Sequence, residues 1–156
     1  SLYGRFTDTE CIITDISDKA LEIAKYNVAH SCLKPDRMSV MKIDALEGDL
    51  PEGMGLFDVI TANPPYIDGP DMKVLDDEVK LHEPALALEG GEDGMKFYEP
   101  IAKIAQKALK EGGLLAVEHG YSQGERVAQT LVNTGFNNVK TLKDYGDNDR
   151  VTFGVK

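Results

Sequence analysis

Apolar and polar positions run along the chain in two rhythms. Short β-branched or apolar runs are followed by longer segments of helical period, the signature of a parallel sheet with helices on its faces. The expected class is α/β. The first strand is expected over Glu10 to Thr14, then Asp15-Ile16-Ser17 and a helix whose Ala20, Leu21, Ala24, Asn27 and Val28 share one face, with Ser17 as N-cap. A second strand, Met38 to Ile43, leads into Asp44, and a third, Phe57 to Ala62, leads into Asn63-Pro64-Pro65-Tyr66. From Ile67 to Gly94 the chain is rich in Asp, Glu, Pro and Gly, with a weak helical pattern around Val74 to Leu81. A long functional loop is expected there, with Gly90-Gly91 and Gly94 as flexible turns.

Met95 to Lys110 carries Phe97, Ile101, Ile104, Ala105 and Leu109 at helical spacing, and Gly112-Gly113 is expected to stop that helix. Leu114 to Glu118 follows as a strand and Gln123 to Thr134 as a helix ending at Gly135. Val139 to Lys143 and Arg150 to Val155 then form a closing antiparallel pair, with Asp147 and Asn148 in its turn. No repeat or interdomain linker interrupts the pattern, so one domain over residues 1–156 is expected.

Charge narrows the function classes. Seventeen Lys plus Arg against 27 Asp plus Glu give a net charge of −10, with no basic patch, which argues against a phosphate-backbone partner. A membrane helix takes roughly 18 consecutive apolar residues, whereas the continuous apolar stretches here are as short as Leu114-Leu115-Ala116-Val117. Cys11 and Cys32 share no close spacing, and the N-terminus lacks the layout of a signal peptide, so free thiols in a reducing cytoplasm are expected. His30, His82 and His119 have no ligand spacing; no metal is expected, and each histidine is read as a surface or packing residue.

In an open parallel sheet, ligands bind at the carboxyl ends of the strands. That singles out Asp15, Asp44 and Asn63 to Tyr66. Asp15 could accept hydrogen bonds from the two hydroxyls of a ribose, or be a turn aspartate ahead of Ser17. Asp44 could accept from an exocyclic amine; taken alone it reads more simply as a solvated loop acid. Asn63-Pro64-Pro65-Tyr66 is more specific. Proline fixes φ and pushes its predecessor into the extended region, so Asn63 and Pro64 are held in one carbonyl-exposing conformation. The Asn63 side-chain oxygen and the Pro64 carbonyl can both accept from one planar NH2 group, with the Tyr66 ring packed against it.

These residues resemble a known family. Asn63-Pro64-Pro65-Tyr66, at the end of what would be the fourth strand of a Rossmann-like sheet, is similar to S-adenosylmethionine-dependent methyltransferases acting on amino or amide nitrogens. Glu83-Pro84-Ala85-Leu86-Ala87-Leu88, Gly90-Gly91-Glu92-Asp93-Gly94, Glu118-His119-Gly120 with Gln123 and Gly124, and Asp144 to Val151 resemble the HemK group, the protein-(glutamine-N5) methyltransferases of peptide chain release factors. The resemblance implies a cytoplasmic enzyme with S-adenosylmethionine as cofactor and a release factor as protein partner. Asp15 would bind the ribose and Asp44 contact the adenine. Asn63, Pro64, Pro65 and Tyr66 would form the catalytic turn, with Asn63 facing cofactor as well as substrate, and Asn63, Pro64 and Tyr66 holding the substrate amide. Glu83 and Pro84 match a segment near the active site, with Glu83 on its substrate side, and Arg150 matches without an evident role.

One departure stands beside these matches. The family holds the methionine end of the cofactor with a Gly-rich loop ahead of the ribose acid, and only Ser1 to Thr14 precede Asp15. The first strand, that loop and the N-terminal recognition domain are therefore expected upstream, leaving a partial catalytic domain here. Two rivals follow: an adenine-N6 nucleic-acid methyltransferase, whose flipped base offers a similar NH2 group, and a non-catalytic fragment.

Overall fold

A computed structural model describes residues 9–30, 35–47, 50–74 and 87–156. Cys32, His82, Glu83, Pro84 and most of the expected Val74–Leu81 helical pattern lie outside them. The chain divides into two compact units, Ser1–Ala45 and Leu46–Lys156.

In the first unit, β1 (Cys11–Asp15) and β2 (Met38–Lys42) pair in parallel, from Cys11 opposite Met38 to Asp15 opposite Lys42. Helix α1 (Asp18–His30) connects them. Ser17 caps it as expected: the Ala20 N–H donates to Ser17 Oγ (3.4 Å) and the Leu21 N–H to the Ser17 carbonyl (3.0 Å). Leu21 is buried, with Ala20, Ala24 and Val28 half-buried beside it. Asn27, expected on that face, stays exposed, where water satisfies an amide that burial would leave in want of partners.

The second unit holds β3 (Phe57–Ala62), α2 (Gly69–Val74), α3 (Tyr98–Ala108), β4 (Leu109–Glu118), α4 (Gly124–Asn133), β5 (Asn137–Lys143) and β6 (Asp149–Val155). Its sheet runs β3-β4-β6-β5, with β3 and β4 parallel and the other pairs antiparallel. Helix α3 packs on β4 and α4, and α4 packs on β5 and β6. Between them lies the core, including Tyr98, Ile101, Ala105, Leu109, Leu115, Val117, Val127, Leu131 and Phe136. Helix α4 ends at Gly135 as expected: Gly135, at φ +95°, donates to the Val132 carbonyl (3.0 Å), and the Phe136 N–H reaches back to that of Leu131 (3.0 Å).

Two expectations are corrected. Gly112-Gly113 does not stop α3: the helix closes at Ala108, and the fully buried Leu109 is already extended (φ −82°, ψ 144°) and opposite Phe57. The next pair is Val59 with Leu114, so β4 makes an excursion over Lys110 to Gly113, and Gly112 takes the positive φ (+77°) that it requires. Residues 67–94 are not one open loop, because α2 lies within them and Ile67 bridges Glu89 in parallel. The Ile67 N–H donates to the Leu88 carbonyl (3.0 Å) and the Gly90 N–H to that of Ile67 (2.8 Å). Among the described residues no helix is long and apolar enough to cross a membrane.

Candidate active site at the carboxyl end of β3

The parallel pairing of β3 with β4 ends at Ala62 opposite Val117, and Glu118 lies opposite Val151 of β6. Asn63–Tyr66, the β4–α4 turn from His119 to Gln123 and the β5–β6 turn around Asp147 therefore leave the same end of this sheet. Pro64 is buried, Asn63 exposed, and Pro65 and Tyr66 half-buried.

The Tyr66 peptide is held from several sides. Gln123 Nε2 donates to the Tyr66 carbonyl (2.9 Å) and the Gly94 carbonyl (3.2 Å), while its Oε1 accepts from the Gly120 N–H (2.9 Å) and the Tyr98 hydroxyl (3.3 Å). Tyr98 Oη also lies 3.3 Å from the Glu118 carbonyl. Burial, helped by Tyr66 and Glu118, pushes the Tyr98 phenol far above its ordinary pKa, so it stays a protonated donor.

Gly90 and Gly94 complete the enclosure, and here the expectation of flexible turns is overturned. A Cβ on Gly90 would stand 2.7 Å from Tyr66 Cα and 2.9 Å from Gly94 Cα. Gly94 is buried at φ +70°, and a Cβ there would run into Gln123 Nε2 and come within 2.5 Å of the Tyr66 carbonyl oxygen. Both glycines are close-approach positions, where backbone packs on backbone. Next to them Arg126 forms an ion pair with Asp93 and donates to its carbonyl (3.3 Å). The Arg126 guanidinium is the main cause holding the Asp93 carboxyl below the usual range.

His119 is a packing residue, as expected, and is fully buried. Its Nδ1 lies 2.9 Å from the Gly120 carbonyl, which can only accept, so in the neutral ring Nε2 accepts from Thr152 Oγ1 (2.9 Å). Arg150 acts as a tie: it donates to the His119 carbonyl (3.2 Å) and to Asp144 Oδ2 (3.2 and 3.3 Å), joining the end of β4 to the β5–β6 turn. Asp144 Oδ1 in turn accepts the N–H groups of Gly146 (2.8 Å) and Asn148 (3.1 Å). The Asn148 N–H first, with Gly146 and Arg150, lowers the Asp144 pKa. A lowered pKa stabilises the turn at all pH above the ordinary carboxylate value, and that contribution is lost only as pH falls through the lower one. The amide shifts of Gly146 and Asn148, followed by NMR, should therefore titrate with a midpoint below about 3.9; a midpoint at that value would contradict the assignment.

In the first unit, Asp15 ends β1 and Asp44 follows β2, and the Ile43 N–H donates to the Asp15 carbonyl (3.2 Å). Both acids thus lie at the carboxyl end of one strand pair. Asp15 is exposed and its Oδ1 accepts the Ser17 N–H (2.8 Å), a turn bond ahead of α1 that fixes the carboxylate at the strand end. Asp44 is half-buried. Cys11 carries a free, half-buried thiol, its pKa raised by desolvation. No cluster of His, Cys, Asp or Glu able to hold a metal ion occurs among the described residues.

Gln123 is the residue whose part in the site the sequence pattern does not reveal. A faint signal exists: it occupies the N-cap of α4, where Ser, Thr, Asp or Asn is preferred, and its side chain makes no cap bond.

The strand order, the parallel β3–β4 pair and the antiparallel closing pair are those of the methyltransferase fold. A methyltransferase from Pyrococcus furiosus superposes with a TM-score of 0.69 over 99% of this chain and 66% of its own, at 19% identity. The ribosomal protein L11 methylase from Lactobacillus delbrueckii subsp. bulgaricus gives 0.59 over 95% of this chain and 58% of its own, at 18% identity. Within that fold the chain is a homologue of proteins named release factor glutamine methyltransferase, the HemK group its motifs resemble. It is 40% identical to the one from Clostridium acetobutylicum over 149 residues, 96% of this chain and 52% of that protein. With the one from Escherichia coli the identity is 37% over 150 residues, 94% and 51%. The chain spans about half the length of the curated relatives it matches. No family model matches it.

Proposed function

We propose that this chain carries the acceptor-nitrogen turn and the nucleoside-binding acids of an S-adenosylmethionine-dependent N-methyltransferase, whose substrate is the side-chain amide of a glutamine in peptide chain release factors. The observation that carries the reading is the 40% identity over 149 residues with a release factor glutamine methyltransferase. The Asn63–Tyr66 turn at a strand end, held at its Tyr66 peptide, gives it a chemistry.

An amide nitrogen is a poor nucleophile because its lone pair is delocalised into the carbonyl, so orientation must supply most of the rate. Asn63 Oδ1 and the Pro64 carbonyl accept the two N–H bonds of the glutamine amide, point its lone pair at the reacting carbon and stabilise the positive charge that develops on nitrogen. Pro65 keeps Pro64 extended, and Tyr66 packs on the amide plane. S-adenosylmethionine, when bound, supplies a methyl group activated by its sulfonium. The donor set suits it: Asp15 is an acceptor-only carboxylate fixed at a strand end by the Ser17 N–H, fit for two ribose hydroxyls, and Asp44 follows the neighbouring strand, fit for the adenine amine. Glu83 belongs to the substrate side of this reading. The cytoplasm, where release factors act, is its compartment.

Asp15→Ala should weaken cofactor binding by roughly 10- to 100-fold, the range for hydrogen bonds to a charged group, before any effect on the chemical step. Calorimetry with the protein carrying this chain checks it, and unchanged affinity would remove the ribose assignment. The reading as a whole is tested by transfer of a labelled methyl group to a release factor and to duplex DNA in parallel, from this chain and from a version lengthened to the relatives' span. Label on the release factor is expected. Label on DNA would replace the substrate, and label on neither would overturn the function.

A further inference from the structure

A buried primary amide has two N–H donors and two acceptor lone pairs. Gln123, 8% exposed, engages all four, and its partners come from four separate places: Tyr66 after β3, Gly94, Tyr98 at the start of α3 and Gly120 after β4. We propose that Gln123 is a positioning residue for the acceptor turn: its NH2 group holds the Tyr66 and Gly94 carbonyls together, and so sets the direction in which the Asn63 side chain and the Pro64 carbonyl face. The proposal rests on the reading of that turn as the acceptor site.

The geometry separates the two halves of the side chain. Oε1 binds the Gly120 N–H within its own turn and the Tyr98 hydroxyl on α3, bonds that hold Gln123 in place without touching the substrate turn. Nε2 alone reaches the substrate turn and the glycine segment, across 57 and 29 residues of sequence. No backbone bond joins Tyr66 directly to Gly94 among those observed; the amide supplies the link between the two carbonyls. The conformation it closes also requires glycine at both positions, since a Cβ on Gly90 or Gly94 would run into the Tyr66 backbone.

Gln123→Glu isolates the NH2 half, because it keeps size and an acceptor for Gly120 and Tyr98 but turns a carboxylate oxygen toward two carbonyls. Burial against those carbonyls raises its pKa above the usual glutamate value of about 4.3, and the protonated acid can donate again to one of them. The expected kcat at pH 8 is on the order of 100-fold below wild type, the cost of roughly an ångström of misplacement, with KM for the cofactor little changed. The ratio to wild type should recover as pH falls. Tyr66, Tyr98, Asp93, Arg126, His119 and Asp149, the titratable and charged groups around the turn, are the same in both proteins, so the ratio at each pH isolates the change at residue 123. A deficit independent of pH, a kcat equal to wild type, or a loss confined to KM would overturn the positioning role.

A second readout does not need activity. In Gln123→Met, hydrogen exchange at the Ile67 and Gly90 amides should accelerate while β4 and β6 amides keep their protection. Unaccelerated exchange, or equal loss throughout the sheet, would overturn the clamp. A wild-type protein without methyl transfer would overturn the proposed function only, and the exchange result would still decide on Gln123.

Discussion

Asn63→Ala is expected to abolish all but about a hundredth to a thousandth of methyl transfer while leaving the fold and the cofactor affinity nearly unchanged. The magnitude is that of removing one preorganised polar group aimed at developing charge. In the proposed mechanism the Asn63 side-chain oxygen, Oδ1, is one of two acceptors for the substrate NH2. Its loss leaves the nitrogen free to rotate about the remaining bond to Pro64. Stability should move by less than about 0.5 kcal/mol, because Asn63 is exposed and lies beyond the last paired residue of β3. Single-turnover transfer and cofactor titration on the same preparation separate the two effects. Wild-type turnover in this variant would sink the acceptor assignment, and a matching loss of cofactor affinity would move Asn63 to the cofactor side.

Gly94→Ala is expected to cost on the order of 3 kcal/mol, from backbone strain and overpacking together. A control divides that sum. Gly55 sits at φ +84°, with nothing within 4 Å of where a Cβ would stand. Gly55→Ala therefore feels the left-handed strain alone, about 1–2 kcal/mol. Gly94 has nearly the same backbone strain, and its Cβ would in addition collide with Gln123 and with the Tyr66 carbonyl. Denaturant midpoints at constant slope give the two costs. Equal costs would mean that the Tyr66 enclosure yields without penalty, and transfer by Gly94→Ala should then be normal as well.

Much of this fold was readable because its strands are short apolar runs bounded by turn residues. Phe57–Ala62 carries its own signal and needs no distant partner, and the β5–β6 pair is announced by Asp147, which adopts φ +64° in the turn. The failures share one cause. Gly112-Gly113 look like a helix stop until Leu109 is known to be required in the core opposite Phe57, and pairing across the sheet is not a local property. Gly90 and Gly94 look flexible because glycine freedom is all that a local pattern records. Their closeness to Tyr66 exists only after the chain has returned over more than twenty residues. Arg150 and Gln123 are the same case in polar form, since each finds its partners on other elements. For the candidate site, the turn itself was visible in Asn63-Pro64-Pro65-Tyr66, and the apparatus holding it was not.

Strand β6 lies between β4 and β5, although it follows both in the chain. During synthesis β5 leaves the ribosome with no neighbour to pair with, since β6 is its partner in the sheet and has not yet been made. The exit of β4 waits on the same event: the His119 N–H donates to the Arg150 carbonyl, and the Arg150 side chain holds the His119 carbonyl. The turn carrying Gln123 can therefore take its final shape only once Arg150 has been translated. A nascent chain halted before that point would hold the Asn63–Tyr66 segment and its glycines but lack the anchor for the turn that clamps them. Premature stops within β6 should thus yield inactive, protease-sensitive products, whereas a chain released after Val155 has every strand that closes the sheet.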